Sequence, residues 1–102
     1  MCELPADEPG HVYHVYVVRS TERDRISEHL AASGIASSTY YVTPLHRQPA
    51  LQQFRQADGD FPETERAARE NLALPMWAGI DADVQERVVS AVREAVSLEA
   101  VR

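Results

Sequence analysis

The segment His11 to Arg19, HVYHVYVVR, constrains the fold more than any other stretch of the chain. Valine and tyrosine occupy both of its alternating faces, which predicts a central strand covered on two sides. Such a strand needs a sheet neighbour and a helical layer, and the rest of the chain must supply them.

The sequence offers both. Thr21 with Asp24 three residues on resembles a capping box with aspartate in place of glutamate, and Ile26, Leu30 and Ala31 recur at helical spacing up to Gly34. A helix from about Glu22 to Ser33 is expected. Ile35 to Val42 is short, β-branched and aromatic, and predicts a second strand that runs into a loop over Thr43 to Pro49. Ala50 to Gln56 suits a short helix closed by the turn Asp58-Gly59-Asp60. Asp60 is placed to cap a helix that carries Pro62 and Glu63 in its first turn and continues through Ala67 and Ala68 to Asn71. Leu72 to Met76 predicts a brief apolar strand stopped by Pro75. Asp81 or Asp83 caps a last helix, in which Val84, Val88, Ala91, Val92, Ala95 and Val96 form one stripe while Gln85, Glu86, Arg87, Arg93 and Glu94 face water.

The expected fold class is therefore α/β in the sense of an α+β layer: about three strands with helices on one face. Met1 to Gly10, with its prolines, glycine and acids, predicts an irregular lead-in or interdomain linker over 1–10, followed by one domain over 11–102. A layer of this kind leaves a sheet face or edge for something else to cover, and the domain of so short a chain, 102 residues in all, gains stability from such a cover.

A net charge of −6 repels phosphate backbones and anionic lipid, which argues against a nucleic-acid partner. No apolar run approaches the roughly 20 residues that span a bilayer, and the acidic N-terminus is unlike a signal peptide. No membrane partner is expected, and the expected location is cytoplasmic. Cys2 is the only cysteine, so no intrachain disulfide can form. The chain contains no lysine, all ten of its Lys+Arg residues being arginine. Schiff-base chemistry at a lysine amine is closed to it, because a guanidinium stays protonated and is not nucleophilic.

Unusual side chains concentrate in Gly34 to Pro49, GIASSTYYVTPLHRQP. Tyr40 and Tyr41 offer flat faces with hydroxyl tips, Pro44 stiffens the loop, and His46 and Arg47 add an imidazole and a fork suited to phosphate or carboxylate. A phosphorylated ligand fits that set. The same residues also admit a structural reading, which residue chemistry alone favours: both tyrosines in the core, His46 bonded to a backbone carbonyl and Arg47 solvated. His11 and His14 form an H-x-x-H pair, but residues three apart on a strand point to opposite faces and cannot chelate together; no metal is expected. Ser37 and Ser38 lack a strand-turn-helix elbow, and Asp58, Asp60 and Glu63 stand where turns and helix starts ordinarily place acids. No catalytic residue is assigned.

Taken in order, HVYHVYVVR, RDRISEHLAASGI, YYVTPLHRQPAL and GDFPETERAARENLALPMWAGI resemble the DegT/DnrJ/StrS family of sugar aminotransferases over nearly the whole chain from His11 to about Val96. The specific part is Tyr41-x-x-Pro44-Leu45-His46-x-Gln48-Pro49, followed by Pro62 and by Leu74-Pro75-Met76. The resemblance implies the C-terminal small domain of a fold-type I enzyme whose large domain, absent from this sequence, carries pyridoxal phosphate on a lysine. It also implies a cytoplasmic homodimer that moves an amino group, usually from glutamate, to a keto-sugar on a nucleoside diphosphate. Matching residue by residue places Tyr41, Pro44, Leu45 and His46 in the family's loop at the active-site mouth, with Tyr40 and Arg47 beside them as further substrate-binding candidates. Tyr40 stands where the family often has histidine, Val42 where it often has proline, and Arg47 where it is commonly apolar. The acidic lead-in resembles an interdomain connector, so a separated domain of a transaminase is expected. The alternatives are a freestanding, non-catalytic binding module derived from that domain and a truncated reading frame without activity of its own.

Overall fold

The structure, a computed structural model, describes residues 1–54 and 61–101. Its elements are β1 (Tyr16–Arg19), α1 (Arg23–Ala32), two short 3-10 helices (Leu45–Arg47 and Pro49–Phe54), α2 (Pro62–Glu70), β2 (Asn71–Leu74) and α3 (Ala82–Val101). The turn Asp58-Gly59-Asp60 lies outside the described residues.

β1 and β2 pair antiparallel, with Tyr16 opposite Leu74 and Val18 opposite Leu72. Residues two apart on a strand share a face, and that face joins α1 and α3 in one apolar cluster: Val18, Ile26, Leu30, Ile35, Leu72, Val88, Ala91 and Ala95, with Tyr16 and Leu74 at its margin. Ile26, Leu30, Leu72 and Val18 are its largest fully enclosed side chains, each worth about 1.5–3 kcal/mol of transfer free energy. The stripe expected on the last helix supplies the other wall, Val88, Ala91 and Ala95 being buried and Val92 and Val96 partly so. Asp81 is the residue that caps this helix, its carboxylate accepting the Val84 N–H at 2.9 Å.

The sheet has two strands rather than about three, and each difference has a local cause. After α1, Gly34 adopts φ +77, and the N–H groups of Gly34 and Ile35 return to the carbonyls of Ala31 and Leu30, which is a Schellman closure. That closure consumes Ile35, and the Tyr40 N–H goes to the Asn71 side chain at 2.7 Å. Of the strand expected over Ile35 to Val42, only Ser38 pairs, through one antiparallel bridge to Ala73. The first strand is likewise shorter than HVYHVYVVR. Tyr13 takes φ +47 and its N–H turns to His11 Nδ1 at 2.9 Å, while the strand opposite runs into Pro75, which has no N–H to give a ladder. Val12 is 89% exposed, so the segment is not a doubly covered central strand.

The capping box foreseen at Thr21 and Asp24 does not form: Glu22 occupies the cap without a side-chain bond, and Asp24 instead accepts from Arg23 Nε at 2.6 Å. Phe61 holds the cap position of α2, with φ +63 and Pro62 following at the start of the helix. Of the short helix expected over Ala50 to Gln56, residues 50–54 lie in the 3-10 turn Pro49–Phe54, and 55–56 lie outside the described residues. Within Met1–Gly10, Glu3 exchanges two backbone hydrogen bonds with Arg19, at 2.7 and 3.0 Å, and its carboxylate accepts from Arg66. Arg66 also pairs with Glu70 at 3.0 Å. Among the described residues no helix is long and apolar enough to cross a membrane.

Candidate functional site

The segment from Thr39 to Arg47 leaves the sheet edge at Ser38 and runs along α2. Three buried or half-buried polar side chains hold it there. Arg23, 8% exposed, directs Nη1 to the carbonyls of Ala68 at 3.3 Å and Asn71 at 3.0 Å and to Thr39 Oγ1 at 3.4 Å. It thereby supplies a cationic donor to the last turn of α2, where carbonyls lack intrahelical partners. Asn71, 5% exposed, accepts the Tyr40 N–H through Oδ1 and donates through Nδ2 to the carbonyls of Ala67 at 2.8 Å and Tyr41 at 3.5 Å. The third is Glu65.

Glu65 lies one turn before Ala68, on the side of α2 that faces inward. Its Oε1 accepts from His46 Nε2 at 2.8 Å and from Arg47 Nε. The Arg47 guanidinium first, and the His46 hydrogen bond second, hold the Glu65 carboxyl below the usual carboxylate range. An ionised carboxylate only accepts, so the proton of this contact sits on Nε2. The His46 ring also leans on Phe61, centroids 5.0 Å apart.

These contacts shape two adjoining hollows. One of about 340 Å³ is lined by Leu45, His46, Leu51, Phe54, Phe61 and Thr64. The other, about 200 Å³, has Tyr40, Tyr41, Pro44 and Asn71 in its wall and shares Leu45 and Thr64 with the first. Tyr40 and Tyr41, joined by a cis peptide, set their rings edge to face at 5.6 Å. They stand 48% and 73% exposed at the rim, outside the core. Flat faces, hydroxyl tips and one oriented imidazole can grip a polar ligand with apolar faces.

Of the residues singled out from sequence, Tyr40, Tyr41 and Pro44 come together on the smaller hollow and His46 on the larger. Arg47 turns to Glu65 instead, and His46 bonds that carboxylate rather than a backbone carbonyl. Glu65, Asn71, Arg23 and Phe61 were not anticipated. The inward spacing of Glu65 relative to Ala68 was the one legible sign, since the partners of Arg23 and Asn71 lie far away in sequence. Elsewhere Ser37 Oγ bonds Ser27 Oγ at 3.0 Å, and the described residues contain no group of three His, Cys, Asp or Glu side chains able to hold a metal ion.

Comparison with known proteins gives this geometry a context. The dTDP-3-amino-3,4,6-trideoxy-alpha-D-glucose transaminase of Micromonospora megalomicea is 39% identical over 98 residues, 93% of this chain and 26% of that protein. Among solved structures, S. venezuelae DesV in complex with a ketimine intermediate matches with a TM-score of 0.85 at 36% identity, over 91% of this chain and 26% of its own. NtdA from Bacillus subtilis, solved with bound cofactor PMP, matches with a TM-score of 0.82 at 27% identity, over 94% of this chain and 23% of its own. The chain thus spans about a quarter of the length of the curated relatives it matches. Residues 1–93 match the DegT/DnrJ/EryC1/StrS aminotransferase family, and the chain belongs to that family.

Proposed function

We propose that this chain is the small-domain portion of a transaminase that moves an amino group, from glutamate as donor, to a nucleotide-linked keto-sugar. The observation that carries the reading is the rim of Tyr40, Tyr41, Pro44 and His46 on a chain of this aminotransferase family whose fold follows S. venezuelae DesV at a TM-score of 0.85. In this reading these residues bind and orient the nucleotide sugar, and Arg47 reaches it only by leaving Glu65. Residues 1–10 connect to a large cofactor-binding domain, 11–102 form the C-terminal small domain, and the whole enzyme is a cytoplasmic homodimer.

The residues present do not fit the family's pyridoxal phosphate by themselves. A Schiff base needs a lysine amine, and the sequence has none. Cofactor and chemistry therefore belong to the large domain, and the part of this chain is to bind and orient the substrate. Two physical features favour a covering partner over a freestanding module. The radius of gyration, 15.6 Å, exceeds the value of about 13 Å for a compact domain of this length. In addition, Tyr41, Val42, Leu45, Phe54 and Phe61 are all exposed along one stretch of loop and helix start.

The test is a chimaera in which this chain replaces the matching quarter of the Streptomyces venezuelae enzyme. Glutamate-dependent amination of a nucleotide keto-sugar is expected. A chimaera that folds and binds cofactor yet aminates no member of a panel of such sugars sinks the reading.

A further inference from the structure

The rim between Tyr40 and His46 is fastened to a single helix at two places. Asn71, at the C-terminal cap of α2, takes the Tyr40 N–H at 2.7 Å and reaches the Tyr41 carbonyl at 3.5 Å. Glu65, in the first half of α2, takes both His46 and Arg47. Between the two fastenings the chain is stiffened from within: Pro44 is extended at φ −57 and ψ 151, its carbonyl receives the Arg47 N–H at 3.0 Å, and Gln48 Nε2 closes on the Thr43 carbonyl at 3.3 Å. A helix rises 1.5 Å per residue, so the two anchors are set about 9 Å apart along its axis. Arg23 then ties the C-terminal end of the same helix to α1.

We propose that α2 is a splint for the rim, and that Glu65 and Asn71 are positioning residues which, through their hydrogen bonds to the rim, fix the separation of the tyrosine pair from the His46 imidazole. The consequence for ligand binding rests on the transaminase reading; the splint itself does not. The two anchors differ in character. Asn71 is enclosed and satisfies main-chain groups, so it sets the path of the backbone. Glu65 holds side chains, so it sets the direction of the imidazole. One Oε1 serves both His46 and Arg47, and a ligand anion that draws Arg47 away leaves His46 as its remaining partner there.

The experiment compares Asn71→Ala, Glu65→Leu and Glu65→Gln in the whole chain, using residue-resolved amide exchange and the NOE between the His46 and Phe61 rings. Asn71→Ala is expected to speed exchange at the Tyr40 amide about tenfold while the β1 and β2 amides keep their protection. Glu65→Leu is expected to abolish the ring NOE, and Glu65→Gln, which keeps an acceptor oxygen, to retain it. In the chimaeric enzyme, Asn71→Ala and Glu65→Leu should raise KM for the nucleotide sugar about tenfold with kcat changed by less than about twofold, because the rim grips ground state and transition state alike. Unchanged Tyr40 exchange together with an unchanged ring NOE overturns the splint, whatever the enzyme does. Altered exchange with unchanged KM overturns its role in ligand binding. A chimaera inactive from the outset, with the exchange and NOE changes present, defeats the transaminase reading and leaves the splint standing. Should the enclosed Asn71→Ala variant unfold, Glu65→Leu decides alone, since Glu65 is only half-buried and its variant either keeps or loses the ring contact.

Discussion

Replacing Arg23 with methionine should destabilise the chain by about 3 kcal/mol, because the aliphatic stem is kept and the guanidinium is not. Nη1 is the donor to the Ala68 carbonyl at 3.3 Å and the Asn71 carbonyl at 3.0 Å, both in a region closed to water. Each carbonyl deprived of a charged donor costs about 1–3 kcal/mol, and the cation at the end of α2 contributes about 0.3–1 kcal/mol more. One nitrogen serves both carbonyls, so the two losses overlap and a total near the lower end of the summed range is appropriate. The pairing of Arg23 with exposed Asp24 adds little. Against a typical domain stability of about 5–15 kcal/mol, the loss is severe. In a chain of this size it corresponds to a fall in Tm of about 15 °C. Urea titration followed by far-UV circular dichroism reads the change at constant m. Arg23→Lys should recover only part of it, since an ammonium cannot reproduce the planar fork. A methionine variant within about 0.5 kcal/mol of the parent at unchanged m refutes the argument, because only solvated carbonyls could be so indifferent.

Glu65→Gln should destabilise the chain at neutral pH and be nearly neutral in acid. The folded carboxyl titrates below its ordinary range, so its stabilising contribution is complete above the unfolded value and disappears as pH falls through the folded one. Urea midpoints at about pH 7 and about pH 3 should show the gap between parent and variant closing; a gap that persists in acid contradicts the assignment. Gly34→Ala should cost about 1 kcal/mol, as a backbone penalty at φ +77 rather than a clash, since the nearest atom to the new Cβ is Arg87 Nη2 at an ordinary 3.6 Å. Thermal melts of that variant check it, and a rise in Tm contradicts it. Incubation with pyridoxal phosphate, borohydride reduction and dialysis should leave no absorbance near 330 nm on internal residues; a reduced adduct anywhere but the N-terminal amine contradicts the assignment of the cofactor to another domain.

Sequence periodicity located the elements whose identity depends on near neighbours. Val88, Ala91 and Ala95 repeat at helical spacing and are buried as a stripe, and Gly34 ends α1 where a left-handed residue was needed. Strand length was another matter, because it depends on what lies alongside. The valine-rich run from His11 looks like a strand throughout, yet its first half faces a partner strand that ends at Leu74 before Pro75. Ile35 to Val42 has the composition of a strand, but its N–H groups are spent on a helix end and on the Asn71 side chain. The loop carrying Tyr40, Tyr41, Pro44 and His46 was legible through side-chain chemistry and family resemblance. Its fastenings were legible only in the inward spacing of Glu65 relative to Ala68, since Asn71 and Arg23 find their partners across long stretches of chain.

The outer margins of the short strand pair are already partly occupied. On one side Ser38 takes both main-chain groups of Ala73 and Arg23 takes the carbonyl of Asn71; on the other, Glu3 takes both main-chain groups of Arg19. An intruding segment that tried to extend the ladder would first have to displace these contacts. Association of this domain is thereby steered away from strand addition and toward the matching of side-chain surfaces, where shape and chemistry discriminate between partners in a way that a bare amide ladder does not.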